Sequence, residues 1–443
     1  MPLIAPTAAL VVALTRAATP AGAPRDKTHQ AGPKGTSKKK DDNAKKKAKP
    51  EYPSFRLDEH PSIHFGKGTH LDFRARFAAD VTDSGASIVD PVETANVDLG
   101  KRRLGVSGEI KNAVEFQVEA ELSGDDRWRD VYADVKKFGA VRVRGGKFKI
   151  PFSLDENTGA AKLDFMFRSL AATHLAPGRD RGVMVHGKLL KKVFGYEAGV
   201  FEHDGRNART NNPAKVFGGR TFAGRVIVEP LASRKHAVGD LSLGAAFTQS
   251  DVPEGIAGLR GQTVLDQTFF SSSKYRVNGP RRRVGIELQV RPGPASIKAE
   301  WMRVETRRVG ESVEDTDLSP LLADGWYVSG TYAITGEKKS NVDRPKRPLL
   351  PGLGCGAIEL AARVERLTFR SGASGEPPST SPRADVILGN ANRVTTVGVN
   401  WYVNRWFKVQ ANFIRERLDD PSQGPLPAKP GFNSTAIRFQ FSM

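Results

Sequence analysis

The segment His70–Val81, with the sequence HLDFRARFAADV, alternates between two kinds of side chain. The side chains at its odd positions are all apolar, and those at its even positions are mostly charged or polar: Leu71, Phe73, Ala75, Phe77, Ala79 and Val81 against His70, Asp72, Arg74, Arg76, Ala78 and Asp80. Successive side chains of a β-strand point to opposite faces, so this pattern predicts a strand with one apolar and one charged face. The same alternation recurs at the end of the chain, in Ile437–Met443.

Strands of this kind follow one another along most of the chain. About sixteen can be counted, near residues 70–81, 101–110, 113–122, 128–136, 140–148, 182–189, 193–203, 219–229, 237–250, 281–291, 295–308, 324–336, 354–370, 391–403, 406–417 and 433–443. Tight turns, such as Asn404-Arg405, alternate with long connections rich in Gly, Pro and Ser, such as Asp251–Pro280. An even number of two-faced strands with short turns at one end and long loops at the other is typical of outer-membrane barrels. The sequence therefore predicts an all-β fold, a transmembrane antiparallel β-barrel of about 16 strands.

The composition fits a barrel and gives the chain a strong positive charge. No run of 18 or more apolar residues occurs, which argues against a transmembrane helix. The only cysteine is Cys355, so no disulfide can form within the chain. Of the formal net charge of +19, residues 1–49 account for +8 and residues 50–443 for +11. Such an excess of positive charge favours anionic partners.

The N-terminal part of the chain is predicted to lie outside the barrel. The apolar run Leu3–Leu14 and the small residues of Ala17–Ala23 predict a signal peptide over residues 1–24, although no Lys or Arg precedes the run. Residues 25–54 contain the Lys-rich tract Lys34–Lys49, which has too few apolar residues to form a core and reads as a disordered linker. Contact of this tract with anionic cell-wall polymer or lipid headgroups is the alternative. The barrel domain is predicted over residues 55–443.

Basic residues, and especially arginines, fall on the predicted inner face of several strands. The alternation places the following on that face: Arg74, Arg76, Lys101, Arg103, Arg142 and Arg144. Any barrel keeps charge away from lipid, but a preference for Arg suits oxyanions, which the guanidinium group can bind in bidentate fashion. Glu115, Glu119 and Glu121 share the inner face, so neutralisation of the arginines by carboxylates is the other interpretation.

The connection after the fifth strand, Gly146–Arg181, is too apolar for a loop washed by solvent. Its large apolar residues include Leu154, Leu163, Phe165, Met166, Phe167 and Leu170. A loop that folds into the lumen and narrows the pore would have this composition. A second connection, Glu337–Leu353, is longer than its place among the short periplasmic turns requires.

Several segments together resemble the phosphate-selective porin O and P family. They are Arg103–Gly108, Gly146–Leu154, Phe165-Met166 with Arg168-Ser169, Ala176–Asp180, Gly182–Gly187, Gly356–Arg363 and Thr396–Val403. The resemblance implies a trimeric outer-membrane porin of 16 strands, with an inward third loop and basic residues that guide anions. It places the family's basic pair near Lys101 and Arg103, and its basic loop residues at Lys162, Arg168 and Arg179.

The sequence departs from the family at two positions. Phe167 stands where the family usually has Glu, and Met443 ends the chain where barrels usually end in an aromatic residue.

Signals for an enzyme or a cofactor are weak in this sequence. His60, His64 and His70 do not have the spacing of a zinc site, and no nucleophile elbow or phosphate-binding loop is present. No catalytic residue, metal, cofactor or nucleic-acid partner is therefore predicted. Three functions stay open: an anion-selective porin for phosphate and chloride, a weakly selective general porin, and a structural or polyanion-binding outer-membrane protein that uses the Lys-rich tract. All three place the protein in the bacterial outer membrane, in contact with lipid.

Overall fold

The structure is a computed structural model of the full chain. It describes residues 52–57, 60–86, 95–124, 127–207, 219–232, 240–256, 258–271 and 274–443. The predicted signal peptide, at residues 1–24, and nearly all of the predicted linker, at residues 25–54, lie outside these ranges. Both therefore stay predictions.

Strands dominate the described residues. The twenty strands are β1 (Ser54–Leu57), β2 (Pro61–Gly66), β3 (Thr69–Ser84), β4 (Ala95–Ile110), β5 (Val114–Glu121), β6 (Trp128–Phe138), β7 (Val141–Lys149), β8 (Arg179–Leu189), β9 (Phe194–Phe201), β10 (Thr221–Val228), β11 (Asp240–Ile256), β12 (Arg260–Gln262), β13 (Thr268–Ser271), β14 (Arg276–Arg291), β15 (Ala295–Arg308), β16 (Leu318–Ala333), β17 (Ala357–Ser371), β18 (Asn390–Tyr402), β19 (Phe407–Leu418) and β20 (Gly431–Ser442). Two short helices, α1 (Leu154–Asn157) and α2 (Leu170–Leu175), follow β7. Single 3₁₀ turns span Ala160–Lys162, Leu190–Lys192, Gly205–Asn207, Lys339–Asn341 and Pro421–Gln423. No helix in these ranges has the length and apolar character needed to cross a membrane.

Sixteen of these strands, β3–β11 and β14–β20, form a closed antiparallel barrel. Each pairs with its neighbours in chain order, and β20 closes the ring on β3 with Arg438 opposite Asp80 and Phe441 opposite Phe77. The predicted barrel of about 16 strands is confirmed. Four short strands were not predicted: β1 and β2 extend the sheet beside the start of β3, and β12 and β13 form a separate hairpin. With three to six residues each, they are too short to show the alternation that marks the others.

The barrel has an apolar outer face and a polar inner face. In β19, Phe407 and Phe413 are exposed on the outside, whereas Lys408, Gln410 and Glu416 are almost fully buried on the inside. This distribution is the reverse of that in a soluble protein and matches a barrel whose outer wall meets lipid.

A hydrophobic cluster joins the segment after β7 to the strands. Leu170 and Leu175 of α2 pack in it with Leu321 of β16 and Phe369 of β17. The cluster also includes Phe270, from the hairpin of β12 and β13. That hairpin belongs to the connection Asp251–Pro280, which was grouped by composition with the long external loops. Its apolar residues instead pack against the same cluster as α2.

The two faces predict how the barrel responds to a new charge on its outer wall. Val397, on the outer face of β18, is 48% exposed, and a lysine there would lie within the apolar band. We expect Val397→Lys to lower the free energy of unfolding by about 2–4 kcal/mol, whereas Thr395→Lys, nearer the rim on the same face, should cost about 0–1 kcal/mol. Urea titrations in lipid vesicles measure both values, and equal costs would contradict this placement of the band.

Candidate functional site

A large charged cavity lies inside the barrel. Its volume is about 970 Å³, and most of its lining comes from β3–β9, β19 and β20 together with the segment that follows β7. Fifteen Lys and Arg side chains line it against eight Asp and Glu side chains, a formal excess of seven positive charges. The basic residues are Arg74, Arg76, Lys101, Arg103, Arg129, Arg144, Lys149, Lys162, Arg168, Arg179, Arg206, Arg344, Arg405, Lys408 and Arg438.

The antiparallel register of β3 and β4 places four of the predicted basic residues side by side. Arg76 stands opposite Arg103, and Ala78 stands opposite Lys101. Because alternate residues share a face, Arg74 projects to the same side. Eight of the nine predicted site residues line the cavity, and Arg142 is not among the lining residues.

Carboxylates neutralise several of the predicted cations on the wall. The Nε atom of Arg103 donates to Glu121 at 2.7 Å, and Nη1 lies 3.3 Å from Glu119. The Nη2 atom of Arg144 lies 2.7 Å from the buried carboxylate of Asp134.

Two further predicted cations on the strands also have carboxylate partners. Arg142 contacts Glu115 and Asp134, the second at 3.1 Å. Arg179 pairs with Asp130 at 2.6 Å and is the first residue of β8, so its assignment to the loop was wrong.

Arg168, in the segment after β7, is also paired. Its Nε atom lies 3.4 Å from Glu156, which Arg206 approaches to 3.5 Å from another connection. Burial raises the pKa of Glu156, but the guanidinium groups of Arg206 and Arg168 outweigh that effect and lower the pKa below its ordinary value. The carboxylate therefore stays ionised and offsets part of the positive charge beside it.

Four predicted residues, Arg74, Arg76, Lys101 and Lys162, have no ion pair within 4 Å in the described part of the chain. Arg74 donates to the side chain of Gln117 at 3.0 Å. Arg76 is 8% exposed, and its Nη2 atom donates to Ala160 O and to Gln440 at 3.0 and 3.1 Å. Its Nε atom is buried without a hydrogen-bond partner. Within the described residues, no carboxylate therefore neutralises these four side chains.

Side chains of the wall hold the backbone of the segment after β7. Lys408 Nζ donates to Leu163 O at 2.7 Å, and Arg438 Nη1 donates to Met166 O at 2.8 Å. Asn412 Oδ1 accepts a hydrogen bond from Met166 N at 2.8 Å. All three wall residues are buried on the inner face of the barrel. These contacts are those expected of a segment that folds against the inner wall.

A carboxylate beside Lys162 forms the centre of a second set of contacts. Asp164 lies 2.7 Å from Lys298 Nζ of β15 and 2.6 Å from Lys339 Nζ, and Lys339 also contacts Glu359 of β17. Burial raises the pKa of Asp164, but Lys339 and Lys298 outweigh it and hold the pKa well below its usual range. Lys339 belongs to Glu337–Leu353, so this long connection reaches the segment that follows β7.

The sequence of the chain matches a known protein family. Residues 71–443 match the family model of the phosphate-selective porins O and P. The chain belongs to this family. It is an outer-membrane porin, a channel-forming barrel of the bacterial outer membrane, as predicted. A comparison with the curated proteins finds no match.

Solved structures share the fold of this porin at low sequence identity. OmpT of Vibrio cholerae, folded in vitro, has a TM-score of 0.53 at 14% identity, covering 88% of this chain and 99% of its own. The anion-selective porin from Comamonas acidovorans has a TM-score of 0.50 at 13% identity, covering 85% and 100%. The outer membrane channel DcaP of Acinetobacter baumannii has a TM-score of 0.51 at 10% identity, covering 85% and 99%.

Several residues of the porin's cavity, and of the contacts around it, were missed in the sequence. Lys408 and Arg438 lie on the polar faces of predicted strands, so the alternation that identified Arg76 could also have found them. Asp164 and Lys339 lie in connections, where no periodic pattern marks the direction of a side chain. Among the described residues, no group of three or more His, Cys, Asp and Glu side chains is arranged to hold a metal ion.

Proposed function

We propose that this porin is an anion-selective diffusion channel and that phosphate and chloride are the anions it passes. The observation that supports this most directly is the set of unpaired cations in the cavity, Arg74, Arg76, Lys101 and Lys162. Rings of Arg or Lys set anion selectivity in pores because they raise the local concentration of anions and repel cations. The anion-selective porin from Comamonas acidovorans has the same fold.

Phosphate is a candidate because the cavity offers donors that can replace its water shell. A phosphate oxyanion that enters a narrow site loses water, and charge-assisted hydrogen bonds from Arg and Lys compensate for that loss. The guanidinium group of Arg76 lines the cavity without a carboxylate partner, and Lys101 follows it on the adjacent strand. Conduction also requires release, which a site with few direct bonds and several nearby cations permits.

The paired cations support the alternative of a general porin with weak selectivity. Five of the nine predicted residues have a carboxylate partner: Arg103, Arg142, Arg144, Arg168 and Arg179. A carboxylate next to a cation cancels most of the electrostatic field of that cation. At physiological ionic strength, salt also screens charges over about 8 Å, so a paired cation contributes little to the field at a distance. The balance between the two functions thus depends on the four unpaired residues.

The assembly and the surroundings of the porin are part of the same proposal. The protein is proposed to form homotrimers in outer-membrane lipid, because OmpT of Vibrio cholerae, which has a similar fold, occurs in a trimer form. The Lys-rich tract Lys34–Lys49 is proposed to contact anionic cell-wall polymer or lipid headgroups, because its own charge is strongly positive. We also propose that the porin has no catalytic activity.

Ion selectivity is tested by the reversal potential of the purified porin in a planar bilayer. With KCl at a higher concentration on one side, we expect a potential of the sign that chloride permeation produces, because the cavity has an excess of seven positive charges. A potential near zero would favour the general porin. A cation-selective potential would contradict the proposal and mean that the carboxylates in the cavity dominate its field.

A further inference from the structure

Three arginines form a cluster on the outer wall of the barrel, on β18 and β19. Arg393 stands directly opposite Arg417, and Thr395 stands directly opposite Arg415. All three arginines are exposed, whereas the intervening residues Val394 and Glu416 are fully buried inside. The three guanidinium groups therefore project from one patch of the outer face. We call this set, Arg393, Arg415 and Arg417, the outer arginine cluster.

The outer arginine cluster has no anionic partner within the described residues. None of its members forms an ion pair or a side-chain hydrogen bond there. Neighbouring outer arginines are neutralised: Arg366 pairs with Asp419 at 2.5 Å, and Arg303 and Arg370 share Asp324 at 2.5 and 3.1 Å. Like charges directly opposite each other across two strands are destabilising, so this juxtaposition is favourable only where an anion joins them.

The cluster lies at the rim of the apolar band. Below it on the same face are Val397 and Val399 of β18 and Phe413 of β19, all at least 42% exposed. Across neighbouring strands, Arg417 stands opposite Arg393, Arg393 opposite Arg366, and Arg366 opposite Trp326. Trp326 therefore lies at the same level of the barrel as the cluster. Trp is typical of the level at which hydrocarbon meets headgroups.

The cluster also lies at the external end of its strands. The turn that joins β18 and β19 at the other end is the short Asn404-Arg405, whereas residues 372–389 and 419–430 form the long connections next to the cluster. Short turns are periplasmic and long loops are external in barrels of this type. The three guanidinium groups therefore reach the headgroup level of the external leaflet.

We propose that the outer arginine cluster is a binding site for the phosphate groups of external-leaflet lipid. Guanidinium binds phosphate in bidentate geometry and stays charged at any physiological pH. A lipid held there would keep its acyl chains against Val397, Val399 and Phe413 while its phosphates join the three arginines. The site is on the opposite face of the wall from the cavity, so it does not contribute to conduction. This proposal holds whether or not the pore selects anions.

Native mass spectrometry of the purified full-length porin tests the site. The probe is lipid A, a glycolipid with two phosphates, added to the porin in a zwitterionic detergent, and dephosphorylated lipid A is the matched ligand. We expect the wild-type porin to retain lipid A, and the triple variant Arg393→Gln, Arg415→Gln, Arg417→Gln to retain about tenfold less, because all the charge-assisted bonds are lost. Removal of both phosphates should reduce retention by the wild type to the level of the variant.

A control variant removes the same charge from other exposed positions: Arg102→Gln, Arg220→Gln and Lys338→Gln. It should retain lipid A like the wild type, and all three proteins should show the same heat-modifiable migration if they are folded. Equal loss in the control and the cluster variant would overturn the proposal, because it would mean attraction by net charge alone. Competition by inorganic phosphate at millimolar levels would identify a site for the free ion instead. A change of oligomeric state in the cluster variant, with lipid retention intact, would assign the patch to a second copy of the chain.

Discussion

Replacement of Arg76 by glutamine is expected to weaken the block of chloride current by phosphate about tenfold. Charge-assisted hydrogen bonds contribute about 1.5–3 kcal/mol each, and 1.4 kcal/mol corresponds to a factor of ten in affinity. Arg76 is suited to this role because it lines the cavity without a carboxylate partner. The measurement is single-channel chloride conductance at increasing phosphate concentration, for the wild type and Arg76→Gln.

Arg142→Gln is the matched control for this prediction. It removes the same group from the inner face of a nearby strand, but Arg142 does not line the cavity and is paired with Asp134 and Glu115. Its phosphate block should stay within about twofold of the wild type, since a paired charge is already largely compensated. If Arg142→Gln relieved the block and Arg76→Gln did not, phosphate would bind elsewhere in the lumen.

Arg103 shows why the pairing of charges matters more than their number. The sequence offers Arg103 as an obvious member of an anion site, and the structure places it on the cavity. Its guanidinium group, however, holds Glu119 and Glu121. Loss of Arg103 would expose two carboxylates as well as remove one cation, so it would shift selectivity towards cations without identifying a phosphate donor.

The barrel could be predicted because its determinants are local. In His70–Val81, each side chain identifies its own face through the two-residue period, so the strand and the inward direction of Arg74 and Arg76 follow together. Partners on other strands depend on register, which the alternation alone does not give. The contact of Arg144 with Asp134 follows from their direct pairing between β7 and β6.

The contacts made by the connections could not be predicted, because no local pattern encodes them. Asp164 meets Lys298 and Lys339, which are 134 and 175 residues away in the sequence. The apolar composition of the segment after β7 indicated packing, but not its partners. Phe269 and Phe270 gave a similar signal in the connection between β11 and β14, where composition rich in Gly, Pro and Ser suggested an external loop.

Replacement of Lys339 by methionine is expected to loosen the segment that carries Lys162 and to make the open channel noisy. Lys339 Nζ holds Asp164 from the connection between β16 and β17, and its own backbone N–H donates to Gly293 O at 2.7 Å. Removal of one partner from a buried ion pair costs about 3–5 kcal/mol, and Lys298 would compensate for only part of that loss. Lys162 is two residues from Asp164, so its position in the cavity should fluctuate and phosphate block should weaken. Single-channel recordings of current noise and block measure both effects.

Lys338→Met provides the control, because Lys338 is the adjacent residue, carries the same charge and is exposed. It should leave noise and block unchanged, and Lys339→Arg should restore both by contacting Asp164 again. The sign of the pH effect follows from Asp164. A carboxyl whose pKa is lowered in the folded protein contributes stability above its ordinary pKa and loses it only as pH falls through the lowered value. Asp164 therefore stays ionised at both pH 5 and pH 7, and the difference between Lys339→Met and the wild type should be present at both. Noise in Lys338→Met as strong as in Lys339→Met would contradict the role of Lys339 in positioning this segment.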